Sequence, residues 1–396
     1  MKIRVRPRSR NHIVCPIRFY RVVEGPEFPS NDPEADKPEV DDRAFRMGSR
    51  PVKTWSSQVD RGAMVGMAVH DIVEVKVRFE DLDHTLELDG PNIPIFVTST
   101  DPSLVKVVAP KGGGPLDFDG VFRIQGLQDV VRGQVTIQAR LGSDKGPVLG
   151  QLEPHIFTLL RLRLRLHLVT ITSEKSQTDG KTTDHTASGF RKLVEEANKI
   201  WRPAGIEFVF RESQKLEFTI PLSTAGQVTT FEEKAPDRLR EVRKVFKKQP
   251  DANAINVYGV HKIVDLKKEG DDREKTLGGT LRDKDIGEGI LLVDLARGGN
   301  GRTLAHELGH YLLGLGHADF DSQGKKIRDD HWAIRRLMYT RSAGPDEPPH
   351  RNNVGWGEKR AGVLLTMKHL EKDPEDGEVP RARREARKDR ALAPSV

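Results

Sequence analysis

The chain has 396 residues, 36% apolar and 31% charged, the balance of a soluble chain long enough for two or more domains. Its formal charge of +6 is modest and its basic residues are spread along the sequence, so composition gives no footprint of a nucleic-acid partner. No apolar run approaches the roughly 20 residues of a membrane-spanning helix, and Cys15, the single cysteine, has no second thiol for an internal disulfide.

Residues 1–62 join a basic start to a Pro- and acid-rich stretch from Glu24 to Asp42 and read as a partly ordered N-terminal arm. The apolar run Ile13 to Ile17 is too short for a signal peptide and is broken by Pro16. The expected location is the cytoplasm, or outside the cell by a leaderless or specialised route. Residues 63–155 carry short alternating runs at Ile72–Phe79, Ile93–Thr98, Val105–Ala109, Phe122–Gln125 and Val135–Ala139, separated by turn residues. That pattern predicts a small antiparallel β-sandwich. Gly112-Gly113-Gly114-Pro115 has no following Lys-Ser or Lys-Thr to bind phosphate and reads as a hairpin turn. The stretches Ser99 to Val107 and Phe122 to Leu127 resemble bacterial immunoglobulin-like modules.

From 156 to 172 the sequence alternates, with Leu160, Leu162, Leu164, Leu166 and Leu168 on one face and Arg161, Arg163, Arg165 and His167 on the other, which predicts a strand. Its basic face lacks interleaved aromatic residues and reads as a solvated or interdomain surface. Phe190, Leu193, Val194, Ala197 and Trp201 recur at spacings of three and four, predicting a helix over Ala187–Trp201 that Pro203 and Gly205 stop. A strand at Ile206–Phe210, a helix at Pro236–Lys248 and a strand at Ala254–Val260 follow. The loop from Val264 to Thr276 holds Asp265, Glu269, Asp271, Asp272 and Glu274 without the ordered spacing of a calcium loop, so it reads as a solvated charged loop. Gly289–Leu295 is a further strand.

The run His306-Glu307-Leu308-Gly309-His310 carries the chemistry. His306 and His310 lie one helical turn apart on the same face, where both imidazoles can reach one ion. Glu307 beside them can take a proton from a water that the metal has acidified and deliver it to a leaving amine. Gly314 and Gly316 let the chain leave the helix, and His317 follows them as the third ligand, leaving a fourth position open for water. A bare HExxH also arises by chance on an amphipathic helix; the paired glycines and His317 distinguish this one.

With these residues the chain resembles the metzincin clan of zinc metallopeptidases, whose pattern is HExxHxxGxxH followed by a methionine-containing turn. Here Leu313 stands where the clan has glycine, and the segment from His310 to His317 is one residue longer. One helical residue turns the chain by about 100°, so the exit turn departs from the clan's, and Asp319 is the alternative third ligand. The resemblance implies one catalytic zinc ion, a structural methionine at Met338 in Arg336-Leu337-Met338-Tyr339-Thr340, and a protein or peptide substrate. It also implies that Gly289, Ile290, Leu291 and Leu292 form a sheet edge that pairs with the substrate. Tyr339 or His331 could help stabilise the transition state, and Cys15 could occupy the open metal position as a latency device or be an idle thiol.

The expected architecture is therefore multidomain. An all-β sandwich precedes an α+β metzincin-like catalytic domain over 156–370, and the charged, Pro-containing tail over 371–396 reads as disordered or as a frayed helix. The expected function is a zinc endopeptidase. The alternatives are a binding or adhesion protein braced by its metal, and a delivered toxin peptidase with one narrow target.

Overall fold

The structure is a computed structural model and describes residues 3–5, 17–22, 44–46, 63–79, 86–88, 94–116, 120–130, 134–173, 176–220, 227–229, 251–264, 278–283, 287–294, 301–313, 378–389 and 391–393. By internal contacts the chain divides into two compact units. One holds Met1–Leu159, Arg202–Gly205 and Asp319–Val379; the other holds Leu160–Trp201, Ile206–Ala318 and Pro380–Val396.

The first unit contains β1 (Ile3–Val5), β2 (Ile17–Val22), β3 (Ala44–Arg46), β4 (Ala63–Ala68), β5 (Ile72–Phe79), β6 (Leu86–Leu88), β7 (Ile95–Ser99), β8 (Val105–Ala109), β9 (Val121–Gly126), β10 (Ile137–Leu141) and β11 (Val148–Phe157). They form a sheet β3-β2-β5-β9-β8, a sheet β4-β11-β10-β7 and a separate pair β1-β6. Period-two alternation drives this arrangement. In β9, Phe122 and Ile124 turn inward while Val121 and Arg123 face solvent. Both larger sheets feed one hydrophobic core, Val75, Phe122 and Ile124 from one and Val97, Ile137 and Leu152 from the other. Each such side chain, once buried, contributes about 1.5–3 kcal/mol. The turn at Lys111–Gly113 brings Gly113 against the neighbouring strand. A Cβ there would lie 1.9 Å from the Val97 carbonyl oxygen, which only glycine avoids.

The boundary expected at residue 63 is corrected by β2, which lies between β3 and β5 and buries Phe19 edge-on against Phe122, with ring centroids 6.3 Å apart. Residues 17–22 alternate too briefly to stand out from the surrounding polar sequence, and only pairing in the sheet fixes them.

The second unit is built on β12 (Leu160–Ser173), β13 (Ser176–Thr182), α1 (Ala187–Trp201), β14 (Ile206–Ile220), β15 (Gln227–Thr229), β16 (Ile255–Val260), β17 (Lys262–Val264), β18 (Gly278–Asp283), β19 (Gly287–Val293), α2 (Gly301–Leu313) and α3 (Glu378–Lys388). Its main sheet runs β13-β12-β16-β19-β18, with β14 also pairing β12; a two-stranded pair β15-β17 stands apart. β12, β14, β16 and β19 are parallel, while β13 and β18 are antiparallel to their neighbours. Parallel neighbours need a crossover, and α1 supplies one between β12 and β14. Its apolar stripe packs down, Phe190 edge-on to Phe210 at 5.0 Å and Trp201 edge-on to Phe208 at 5.9 Å.

Four sequence expectations need correction in this unit. The strand expected from 156 to 172 is two, β11 and β12, divided at Thr158 and Leu159. His167 follows Arg161, Arg163 and Arg165 in the alternation but is not exposed as Arg161 is; it is fully buried and stacked on Tyr258 at 4.7 Å, with Nε2 2.7 Å from Asn256 Oδ1. Leu166 and His167 are both buried where β12 pairs with β16, so the sheet is covered on both faces there. Burial also lowers the His167 pKa. The stretch Gly289–Leu292 is no edge: β19 lies between β16 and β18, with Ile290, Leu291 and Leu292 buried, because a strand apolar on both faces is favoured inside the sheet. Among the described residues the outer strand is β18.

The fourth correction concerns the tail. Residues 378–388 are helical and bury Ala382, Arg383 and Ala386; the two alanines, four residues apart, let the helix pack closely. Beyond it, Arg163 N–H donates to Ala391 O at 2.9 Å and Ala393 N–H to Arg161 O at 2.8 Å. This extension covers the stretch of β12 that precedes its pairing with β16 at Leu164.

The chain is thus mixed α+β and strand-rich, with three larger sheets and few helices among the described residues. Among those residues no helix is long and apolar enough to cross a membrane. The expected helix at 236–248 lies outside them.

Candidate metal and catalytic centre

The helix α2 is locked in place from its first residue. Gly301 N–H donates to Glu196 Oε2 of α1 at 2.7 Å, so a carboxylate caps the positive end of the helix. A Cβ at position 301 would lie 2.3 Å from Glu196 Cβ and 2.5 Å from Leu193 O, so glycine is what permits this approach. Leu304, Ala305, Leu308, Leu312 and Leu313 are buried, while Thr303, His306 and His310, three and four residues apart, share the partly exposed face.

On that face the Nε2 atoms of His306 and His310 converge to 3.1 Å, with the rings nearly perpendicular at 86°. Two imidazole ligands of a tetrahedral zinc, each about 2.0–2.1 Å from the ion, stand roughly 3.3 Å apart. The pair therefore fits a shared zinc ion, each ring presenting Nε2 with its proton on Nδ1.

Glu307, next to His306, is 6% exposed, and burial pushes its carboxyl up to about 7; the hydrogen bond from Thr280 opposes that rise. Thr280 lies on β18, its Oγ1 2.8 Å from Glu307 Oε2 and 2.9 Å from the Glu307 carbonyl oxygen. Gly278, two residues earlier and so on the same face of the strand, leaves the space that the Glu307 side chain fills. A Cβ there would lie 2.9 Å from Glu307 Cγ. The outer strand of the sheet is thus packed directly on the candidate base. A carboxyl with a pKa near neutrality can both accept and return a proton at ordinary pH.

The structure brings together the imidazoles of His306 and His310, while Glu307, next to His306 in the chain, has its carboxyl against Thr280 and Gly278 of β18. His317, Asp319, Met338, Tyr339, His331, Cys15 and the acidic residues of the 265–274 loop lie outside the described residues. Sequence reasoning missed Gly278 and Thr280, since nothing in a Gly-Gly-Thr segment marks a contact made 27 positions later in the chain.

A second grouping, Asp184, His261 and Asp294, has ligand-type atoms within 4.8 Å of one another. Asp294 Oδ1 accepts from Asp184 N–H at 2.8 Å and from the Thr183 hydroxyl, and its Oδ2 lies 2.8 Å from His261 Nδ1. With three protein partners on one buried carboxylate, this is a structural knot tying the ends of β16 and β19 to the segment before α1. Beside it, His185 is buried with Nε2 2.9 Å from Val293 O, and that burial lowers its pKa.

No family model matches the chain, and no curated protein matches it. Among solved structures, the crystal structure of the S-layer protein SbsC domains 4 and 5 aligns at 14% identity with a TM-score of 0.17, covering 26% of this chain and 52% of that chain. The chain thus spans about half the length of that structure, and so low a score carries no assignment of fold or function.

Proposed function

We propose that the chain is a metzincin-type zinc endopeptidase, its second compact unit the catalytic domain. The observation that carries this reading is the convergence of the His306 and His310 Nε2 atoms to 3.1 Å on a helix where Glu307, the residue after His306, is a buried carboxyl. His306 and His310 would hold the ion, with the third ligand from His317 or Asp319. When bound, zinc supplies Lewis acidity that lowers the pKa of a water and polarises the scissile carbonyl. Glu307 in its ionised form takes the proton from the attacking water. The same carboxyl, now neutral, hands that proton to the departing amine nitrogen as the C–N bond breaks.

The substrate-pairing role moves from Gly289–Leu292 to β18. Among the described residues β18 has a hydrogen-bonded neighbour on one side only, and an extended peptide can satisfy the N–H and C=O groups on its other side. The β18 strand also touches Glu307 through Thr280, so a peptide paired there runs beside the candidate base.

Digestion of a mixed peptide library by zinc-loaded protein, read by mass spectrometry beside Glu307→Ala matched for zinc content and folding, tests the reading. Cuts made by the intact protein alone support it. Equal silence from both, at full zinc occupancy, favours a binding protein that the metal braces.

A further inference from the structure

We propose that Thr280, with Gly278 clearing the space beside it, is a positioning residue that holds the Glu307 carboxyl in one orientation; this rests on the peptidase reading above. A threonine hydroxyl has one proton and two lone pairs. Here it faces two acceptors, Glu307 Oε2 at 2.8 Å and the Glu307 carbonyl oxygen at 2.9 Å, and it serves them one at a time. The bond to Oε2 is the one that reaches the side chain and so fixes its orientation, while the bond to the Glu307 carbonyl ties the same hydroxyl to the backbone of α2.

The bond gives a carboxyl only 6% exposed a polar partner inside its buried site. Gly278 fixes the other side. A Cβ there would stand 2.9 Å from Glu307 Cγ and 3.1 Å from Oε1, which would push the carboxyl away from the strand. Both residues belong to the strand proposed to carry the peptide, so one rigid element sets the relative placement of substrate and base. A misplacement of about 1 Å at such a base costs on the order of a hundredfold in rate.

The test compares Thr280→Val, which keeps the shape and loses the hydroxyl, with Thr280→Ser, which keeps the hydroxyl. Each full-length variant is matched for zinc content and for circular dichroism. On a peptide cut by the parent chain, Thr280→Val is expected to lose about 10–100-fold in kcat with KM within about twofold, and Thr280→Ser to recover most of the loss. Parent-like kcat in Thr280→Val, or equal losses in both variants, overturns the proposal. Crystal structures of the zinc-free parent and both variants read the same point without activity. One Glu307 orientation in the parent and Thr280→Ser but a turned or divided one in Thr280→Val supports it; the same orientation in all three overturns it. Absence of peptide cleavage by the parent chain removes the peptidase reading and leaves the crystallographic comparison to decide the contact.

Discussion

The indole N–H of Trp201 donates to the carbonyl of Ala305 across 3.1 Å, fastening the end of α1 to α2 at the residue just before His306. Trp201 is fully buried, so the bond is shielded from water. Trp201→Phe keeps an aromatic ring and removes the donor. It is expected to lower the stability of the zinc-free chain by about 1–3 kcal/mol, from a lost hydrogen bond and a smaller side chain. Urea unfolding measures this, and an unchanged midpoint would contradict it.

Gly301→Ala should be worse than its chemistry suggests. In an open helix alanine is the better residue by up to about 1 kcal/mol, yet here its Cβ meets Glu196 Cβ at 2.3 Å. Forcing α1 and α2 apart is expected to cost about 1–3 kcal/mol. Unfolding of Gly301→Ala beside Glu196→Ala, which removes the acceptor of the helix cap and leaves Gly301 in place, separates crowding from capping. A stabilised Gly301→Ala would show that the helices do not approach as described.

Zinc binding should divide the three motif residues by role. His306→Ala and His310→Ala are each expected to weaken zinc binding by more than about a hundredfold, since losing even an outer partner of a zinc ligand costs 10–100-fold. Glu307→Gln should keep the metal. Competition titration against a chelator of known affinity reads all three, and equal zinc affinity in parent and His310→Ala would remove the pair as ligands.

The buried carboxyl gives the zinc-free chain a distinctive pH response. Glu307 has a folded pKa of about 7 against a model value of 4.5, so between those values the folded state holds a proton that the unfolded state has released. Its contribution to stability is full below about pH 4.5, falls as pH rises, and levels off above 7, a total on the order of 3 kcal/mol. The lowered pKa values of His167 and His185 act in the opposite sense, removing stability as pH drops below their model value of 6.5. The difference between parent and Glu307→Gln isolates the carboxyl. The variant should gain on the parent from pH 5 to pH 8, and a pH-independent difference in urea midpoint would contradict the assignment.

Some of this was legible in the sequence for plain reasons. The Leu/Arg alternation of β12 and the spacing of Phe190, Leu193, Val194, Ala197 and Trp201 each match one period of regular structure, so the strand and α1 could be placed without a fold. The alternation of β12 gives no sign that the face exposed at Arg161 is covered at His167, which is buried against Tyr258 of the neighbouring strand. The edge role of Gly289–Leu292 comes from the metzincin resemblance, whereas the apolarity of the run itself points to a central strand, which is where β19 lies. The true outer strand, β18, opens with Gly-Gly-Thr, poor in the apolar and β-branched residues that announce a strand. The small alanines that pack α3 were masked by the charges around them.

The pairing of Leu162 with Leu392 also sets an order of events during synthesis. The first residues of β12 leave the ribosome long before the segment that covers their free side. At roughly 5–20 residues per second, that backbone waits on the order of ten seconds or more for its partner. For that interval the nascent chain offers a bare strand edge whose alternating leucines could recruit another chain. The arginines at 161, 163 and 165 put like charges at every second position of that edge, so two nascent copies meeting there would repel before they could align.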